Sequence, residues 1–185
     1  MDVVACGILP LSYHNNEIYV LCGKDKYDLN KESSEKYCGF GGSKKDNEPN
    51  KDCAARECYE ESMGFLGYIS ELREKLNDSH KDYIGQLTFQ NYRCYYINVP
   101  YNEQLPINFK NVYNYVLESG AMENCEQGMY EKKDVKWVRL NYLYDIIYKK
   151  KKDKQKEFMK GFLEMTKVLM ENKKIVFSLK KLYKE

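Results

Sequence analysis

Three glutamates in the middle of the chain have a spacing that could hold a metal ion. Glu57, Glu60 and Glu61 stand at positions i, i+3 and i+4, so on a helix their carboxylates project from one face. Like charges at this spacing weaken an isolated helix by on the order of tenths of a kcal/mol per pair. Because Mg²⁺ takes oxygen ligands and commonly joins carboxylates to substrate phosphates, the pattern indicates a magnesium site facing a phosphorylated substrate.

Two neighbouring features would complete such a site. Three of the four residues in the run Gly39-Phe40-Gly41-Gly42 are glycines. Because Gly42 has no side chain to block the approach, its backbone carbonyl could reach the same cation. Arg56 stands out because the basic residues of this chain are mostly lysine. Its planar guanidinium can hold a carboxylate through two parallel hydrogen bonds, which lysine cannot do. We interpret Arg56 as the residue that orients a glutamate, with Glu48 as the candidate.

A solvated acidic helix face is the alternative interpretation, and for Glu60 and Glu61 alone it is the better one. The complete pattern changes that balance. Six residue types at fixed offsets should arise by chance on the order of once in 10⁵ chains if residue frequencies are independent. The pattern consists of Gly42, Glu48, Arg56, Glu57, Glu60 and Glu61.

Residues 42–64 resemble the Nudix box, whose glycine, arginine and glutamates recur at these same offsets. All six residues of the pattern match, and Cys58 occupies an apolar position of the box. There is one departure from the box. Its second glycine falls on Met63 and its last apolar position on Gly64, so the glycine comes one residue late. The departure affects the end of the predicted helix and none of the proposed ligands.

The resemblance covers residues 3–148 and implies an α/β/α sandwich around a mixed β-sheet, with an additional C-terminal helix. It implies a Mg²⁺-dependent pyrophosphohydrolase, in which water attacks a phosphorus of a nucleoside diphosphate joined to a further group. The substrate would be a nucleotide, a nucleotide sugar, a dinucleoside polyphosphate or a similar small molecule.

The same resemblance assigns roles to individual residues. Gly42, Glu57, Glu60 and Glu61 would bind Mg²⁺, for which Mn²⁺ can substitute, and Arg56 would orient the glutamates. Many family members draw a further carboxylate from a loop beyond the box, as a ligand or a general base. The candidates here are Glu123, Glu126 and Glu131. We prefer Glu131 because it lies just before a predicted strand.

Interleaved strands and helices must position these residues, and they indicate one α/β domain over residues 1–185. Strands are predicted at 3–13 and 18–22, joined by a turn, and at 84–89, 93–99 and 135–138. A helix is predicted at 52–63, capped by Asn50 or Asp52 and closed by Gly64. Further helices are predicted at 109–118, 142–150 and 156–171, the last two reaching into a C-terminal helical extension of about 150–185. The apolar stripe of the last helix indicates core packing: Phe158, Phe162, Met165 and Leu169.

Composition excludes several classes of function. A net charge of +2 gives no global field for nucleic acid or an anionic membrane, and there is no apolar run of the ~20 residues that a span needs. The start of the sequence lacks the features of a signal peptide, so we expect a cytoplasmic location, in the host if the chain is viral. The late glycine and the A/T-rich codon usage implied by abundant lysine and tyrosine are similar to Nudix proteins of large DNA viruses. The seven cysteines form no C-x-x-C pair and are expected to be reduced thiols.

Several alternatives remain open at this point. The lysines at 149–152, 154 and 156 could hold capped RNA for cap removal, although a solvated helix junction is the commoner meaning of such a run. An inositol pyrophosphate is another candidate substrate. A catalytically inactive Nudix fold that binds nucleotides is the rival of a different class, but such proteins typically lose box glutamates. Four tyrosines could stack on a base, with core packing favoured over that role: Tyr92, Tyr95, Tyr96 and Tyr101.

Overall fold

A β-hairpin forms the centre of the computed structural model, which describes residues 2–125 and 128–182. Strand β1 (Ala5–His14) pairs with β2 (Glu17–Asp25) through the register Leu11↔Val20 to His14↔Glu17. Asn15 and Asn16 form the two-residue turn at φ 49° and 63°, a left-handed conformation that asparagine tolerates well. The predicted hairpin is confirmed.

The remaining strands make this hairpin part of a mixed sheet. β1 runs parallel to β6 over Ala5–Leu11 and antiparallel to β4 over Ala5–Ile8, so its first half has a partner on each edge. β2 pairs with β3 and β7, and β5 pairs with β6. Within the described residues the sheet has seven strands, the other five being β3 (Tyr37–Cys38), β4 (Phe40–Ser43), β5 (Tyr83–Phe89), β6 (Tyr92–Asn98) and β7 (Lys132–Arg139).

Helices cover both faces of the sheet. Alternating residues of β1 point to opposite sides, so Cys6 and Ile8 join one core and Leu9 and Leu11 the other. The first core contains side chains of α1 (Asn50–Glu61), α2 (Ile69–Lys75) and α3 (Gln104–Glu118). The second contains side chains of α4 (Leu140–Tyr148), α6 (Lys160–Glu171) and α7 (Lys173–Lys181). This arrangement is the predicted α/β/α sandwich.

Three further features of the structure are a short 3-10 turn, the state of the cysteines and the apolarity of the helices. A 3-10 turn spans Ala121–Asn124, and all seven cysteines are free thiols, six of them buried. No helix in the described part of the chain has the length and apolarity that a membrane crossing requires.

The predicted helix at 156–171 is wrong in its first turn. A short helix, α5 (Lys152–Gln155), ends before it, and α6 begins only at Lys160. Between them the backbone pairs with β3, because the Tyr37 N–H donates to the Glu157 carbonyl at 2.8 Å and the Met159 N–H donates to the Tyr37 carbonyl at 3.0 Å. Groups used in this way cannot continue a helix. The four apolar residues of the predicted stripe are nevertheless all buried, which confirms that they pack in the core.

The helix that carries the glutamates is shifted by two residues from its prediction. α1 begins at Asn50 after Pro49, and no side chain caps it, so neither Asn50 nor Asp52 has the predicted capping role. It ends at Glu61, and the chain then turns with Met63 at φ 52° and Gly64 at φ 72°. Position 63, where the resemblance to the Nudix box places a glycine, is thus left-handed here although methionine occupies it.

Candidate active site

The glycine strand β4 lies close against the first residues of β1 and against α1. A Cβ atom on Gly41 would stand 2.6 Å from the Cys6 carbonyl oxygen and 2.4 Å from the Tyr92 hydroxyl. A Cβ atom on Gly42 would stand 2.5 Å from a carboxylate oxygen of Glu57. The backbone contact leaves no room for a side chain at Gly41, and a side chain at Gly42 would displace the Glu57 carboxylate. The two glycines therefore allow the backbone of β4 to approach the glutamate face of α1.

Arg56 holds three carboxylates of this region together. Its Nε and Nη2 donate to the two oxygens of Glu48 at 2.8 and 3.0 Å, which is the bidentate pairing expected from the sequence. Its Nη1 donates to Glu57 at 2.7 Å and to Glu60 at 3.1 Å. Nη2 also donates to the carbonyl of Ser43, the last residue of β4, at 3.1 Å. One guanidinium thus fixes α1, β4 and the intervening loop.

The pKa values of Glu48 and Glu60 are shifted in opposite directions. The Arg56 hydrogen bonds lower the pKa of Glu48 to about 2, and the backbone N–H of Lys45 adds to the effect. Burial raises the pKa of Glu60, and the nearby Arg56 only partly opposes that shift. At Glu48 the two guanidinium hydrogen bonds outweigh burial, whereas at Glu60, which shares one guanidinium nitrogen with Glu57, burial outweighs Arg56. Negative charge is therefore incompletely balanced at the Glu57–Glu60 end of the group.

Glu61 belongs to a second, buried group of charges. One of its carboxylate oxygens accepts from the Gly41 backbone N–H at 2.7 Å, and the other lies 3.1 Å from Nζ of Lys132. Lys132 opens strand β7, has a side chain only 2% exposed, and is also paired with Asp25 and lies 3.0 Å from the Cys38 sulfur. Sequence reasoning missed both Asp25 and Lys132. The two are 107 residues apart, and neither belongs to a local motif.

One ammonium group serves two carboxylates in this second group. Burial raises the pKa of Glu61 from its ordinary 4.5 to about 7, with Lys132 opposing and Asp25 reinforcing the shift. Burial also disfavours the charge of Lys132, but Glu61, Cys38 and Asp25 outweigh it and raise the lysine pKa well above its ordinary range. Lys132 therefore stays charged, and the surplus negative charge falls on Glu61.

The two groups together have the chemistry of a divalent cation site. Five carboxylates contact two basic residues, which leaves a formal charge of −3 when all are ionised. Oxygen donors of this kind suit Mg²⁺ or Mn²⁺. Glu57 and Glu60 turn to Arg56 while Glu61 turns to Lys132, and no three acidic, cysteine or histidine side chains of the described residues converge on one point. The carbonyl of Gly42 accepts from the thiol of Cys53 at 3.7 Å.

A cavity of about 640 Å³ opens beside these groups, and Glu57, Glu61, Asp25 and Lys132 all line it. Glu131 lines it as well, with a carboxylate oxygen 2.5 Å from Nζ of Lys31. Of the other acids considered from the sequence, Glu123 is exposed on the 3-10 turn, and Glu126 lies outside the described residues.

The aromatic and C-terminal residues divide between the core and the cavity. Tyr95 and Tyr96 are buried, which confirms core packing, and Tyr101 stacks on His14 with ring centres 4.4 Å apart. Tyr92 lines the cavity. So does one side of α6, through five residues that sequence reasoning did not connect with the site: Met159, Gly161, Phe162, Glu164 and Met165.

Comparison with models of protein families and with curated proteins gives no match. Among solved structures, the chain is similar to a bifunctional NMN adenylyltransferase/ADP ribose pyrophosphatase from Francisella tularensis, complexed with AMP and Mn ion. The TM-score is 0.56 at 14% identity, over 92% of this chain and 42% of that one. It is also similar to the Nudix domain of Shewanella oneidensis NrtR complexed with ADP ribose (TM-score 0.49, 13% identity, 92% and 88% of the two chains). A third similar structure is the C. elegans Ap4A hydrolase (TM-score 0.46, 15% identity, 92% and 95%).

At such identities the structural likeness concerns the fold. Residues 42–64 of this chain carry every charged residue of the Nudix box, and the helix they form lies against a glycine strand of a mixed sheet. The sheet and helices of this chain thus have the fold of the Francisella tularensis structure, and residues 42–64 resemble the Nudix box.

Proposed function

We propose that this chain is a divalent-cation-dependent pyrophosphohydrolase that cleaves the diphosphate linkage of a nucleoside diphosphate derivative. The observation that carries the proposal is the surplus of carboxylates that Arg56 and Lys132 gather beside the glycine strand at the wall of a cavity. A buried group of like charges is costly unless something compensates it. A divalent cation bound to a diphosphate would supply that compensation.

Each residue of the box has a role in this proposal. Glu57 and Glu61 are the principal metal ligands, Glu60 and the Gly42 carbonyl complete the set, and Arg56 positions the glutamates. When bound, Mg²⁺ or Mn²⁺ would neutralise the diphosphate and lower the pKa of a water molecule. The carboxylates of Glu57 and Glu61 already line the cavity, so a bound cation would replace part of their contacts with Arg56 and Lys132.

Glu131 is the acid beyond the box to which we assign an assisting role, as a base toward water or as a further ligand. Its support is its place on the cavity wall, next to Lys132 in the chain. The Lys31 ammonium pairs with its carboxylate and would contact a phosphate of the substrate.

The substrate class follows from the size and lining of the cavity. A volume of about 640 Å³ lies within the range of about 300–1,000 Å³ that small-ligand sites occupy. ADP-ribose is a suitable first substrate, because the Francisella tularensis protein with the same fold is a bifunctional NMN adenylyltransferase/ADP ribose pyrophosphatase. Capped RNA is less well supported, since Lys149 lies 2.8 Å from Asp145 and Lys154 3.0 Å from Glu157, as in a solvated helix junction.

The test is a substrate panel with and without divalent cation. ADP-ribose, Ap4A, a nucleotide sugar, nucleoside triphosphates, capped RNA and an inositol pyrophosphate would each be incubated with Mg²⁺, Mn²⁺ or EDTA. We expect metal-dependent release of a nucleoside monophosphate from at least one nucleotide substrate, and its loss in Glu61→Gln with the fold intact. Absence of cleavage with both metals would contradict the proposal and favour a nucleotide-binding module.

A further inference from the structure

The cavity has two chemically different halves. The side toward β4 and α1 carries the charged groups already described. The other half is mostly apolar and comes from two segments, the end of β5 with the start of β6 and the first two turns of α6 with the preceding Met159. Its apolar residues are Phe89, Tyr92, Met159, Phe162 and Met165.

The α6 side of this apolar half is held firmly in place. The Met159 N–H donates to the Tyr37 carbonyl on β3 at 3.0 Å, which fixes the start of the helix to the sheet. Phe162 stacks on Phe158 with ring centres 6.0 Å apart, and Phe162 and Met165 are both buried in the core. A wall anchored by the core is preorganised, so binding to it loses little conformational entropy.

Polar side chains are few on this side of the cavity, and they lie at two positions. Gln90 is exposed in the turn between β5 and β6, with φ 54°. Glu164 is 43% exposed on α6, and its carboxylate is 3.9 Å from the Lys160 ammonium. An amide and a carboxylate beside an apolar, aromatic surface match a flat heterocycle that has hydrogen-bonding groups on its edge.

We propose that this apolar half binds the nucleobase of the substrate, and that α6 therefore selects which substrates are cleaved. The inference rests on the proposed function, which places the diphosphate in the charged half of the same cavity. The base then lies against Met159, Phe89 and the β5–β6 turn, where contact with apolar and aromatic side chains is favourable. Gln90 and Glu164 contact its edge.

Gly161 offers a way to fill this half without disturbing the fold. It lies in the first turn of α6 and lines the cavity, and the nearest atom to an added Cβ would be the Met159 methyl at 3.6 Å, an ordinary contact. Its backbone is not in the left-handed region, and any residue except proline forms helix more readily than glycine. A larger side chain at this position would project into the space proposed for the base.

The experiment measures binding of AMP and of ribose 5-phosphate, which lacks the base, to Gly161→Phe and to the matched control Gly161→Ala. Calorimetry with Mg²⁺ present reports affinity independently of catalysis, because neither ligand contains a diphosphate linkage, and thermal unfolding reports the fold. We expect Gly161→Phe to weaken AMP binding by at least about tenfold and to leave ribose 5-phosphate within about twofold, with Gly161→Ala close to wild type for both. In turnover, the phenylalanine should raise KM for the nucleotide substrate more than it changes kcat.

Two results would overturn the inference. One is unchanged AMP affinity in a folded Gly161→Phe protein, and the other is equal weakening of AMP and ribose 5-phosphate, which would place the added ring in the phosphate half. Failure of the proposed function looks different. Wild type could bind AMP but cleave no substrate, and Gly161→Phe could abolish AMP binding while leaving ribose 5-phosphate binding unchanged. That result would support the base site and contradict the hydrolase proposal.

Discussion

Arg56 and Lys132 both hold glutamates of α1, but they do so in different surroundings. Arg56 is 13% exposed and spreads its donors over Glu48, Glu57 and Glu60, all within eight residues of it in the chain. Lys132 is buried and has a single ammonium for Glu61 and the distant Asp25. The stability of the Arg56 group therefore depends on hydrogen-bond geometry. The stability of the Lys132 group depends on the balance of charge among buried side chains.

The largest expected effect follows from removing the buried cation. Lys132→Met should lower the free energy of unfolding at pH 7 by about 3–5 kcal/mol, because it leaves the carboxylates of Asp25 and Glu61 buried without a cation. Lys133→Met is the matched control on the same strand. Lys133 pairs with the partly exposed Glu35, so its loss should lower the free energy by less than about 1 kcal/mol. Denaturant titration of both variants measures the two free energies of unfolding. Equal decreases would contradict the claim that the Lys132 group depends on a buried cation.

The surplus charge on Glu61 predicts a stability that falls as pH rises. The folded pKa of about 7 exceeds the ordinary 4.5, so the contribution of Glu61 is fully present below about pH 4.5 and is lost as pH increases through 7. Glu61→Gln removes this loss, and without divalent cation it should be more stable than wild type at pH 8 by up to about 3 kcal/mol. Unfolding curves from pH 4.5 to 8 test this. A variant less stable than wild type at pH 8 would contradict the charge surplus.

Glu48 should show the opposite trend with a smaller amplitude. Arg56 lowers its pKa to about 2, so its contribution is present above about pH 4.5 and is lost as pH falls toward 2. Glu48→Gln should therefore be less stable than wild type at pH 7 by about 2 kcal/mol, because partial exposure reduces the full electrostatic value. The gap should close between pH 4.5 and 2. If the two variants gave parallel pH profiles, the separation of the site into two electrostatic groups would fail.

The smallest expected effect on stability concerns the C-terminal end of α1, which carries Glu60 of the Arg56 group and Glu61 of the Lys132 group. Gly64→Ala places a side chain at φ 72°, with its Cβ 3.3 Å from the ring of Tyr59, and should lower the free energy of unfolding by about 1 kcal/mol. Because Gly64 contacts neither basic residue, the change should leave both pH profiles unaltered in shape. A change in shape would show that the helix end controls the charges directly.

The same contrast explains what the sequence alone could and could not predict. Arg56 and Glu60 are one helical turn apart on α1, and Glu48 lies only eight residues before Arg56, so a local motif is enough to predict their contacts. The contact between Lys132 and Asp25 joins two strands that are distant in sequence, and lysine and aspartate are too common for either to stand out.

The C-terminal part of the site was hidden for a related reason. The apolar stripe of α6 indicated burial correctly, but a stripe does not show that some of its residues also line a cavity. The interruption at 156–159 depends on backbone pairing with Tyr37, more than a hundred residues earlier. Hydrophobic periodicity contains no information about such pairing.

The most direct test of the account is the binding of Mn²⁺ to wild type and to Glu61→Gln, followed by electron paramagnetic resonance at pH 7.5. We predict saturable Mn²⁺ binding by wild type and a loss of that binding in Glu61→Gln, with Glu61→Gln unfolding at the same or a higher temperature than wild type. Equal binding of Mn²⁺ by the two proteins would contradict the claim that the α1 glutamates hold the catalytic metal.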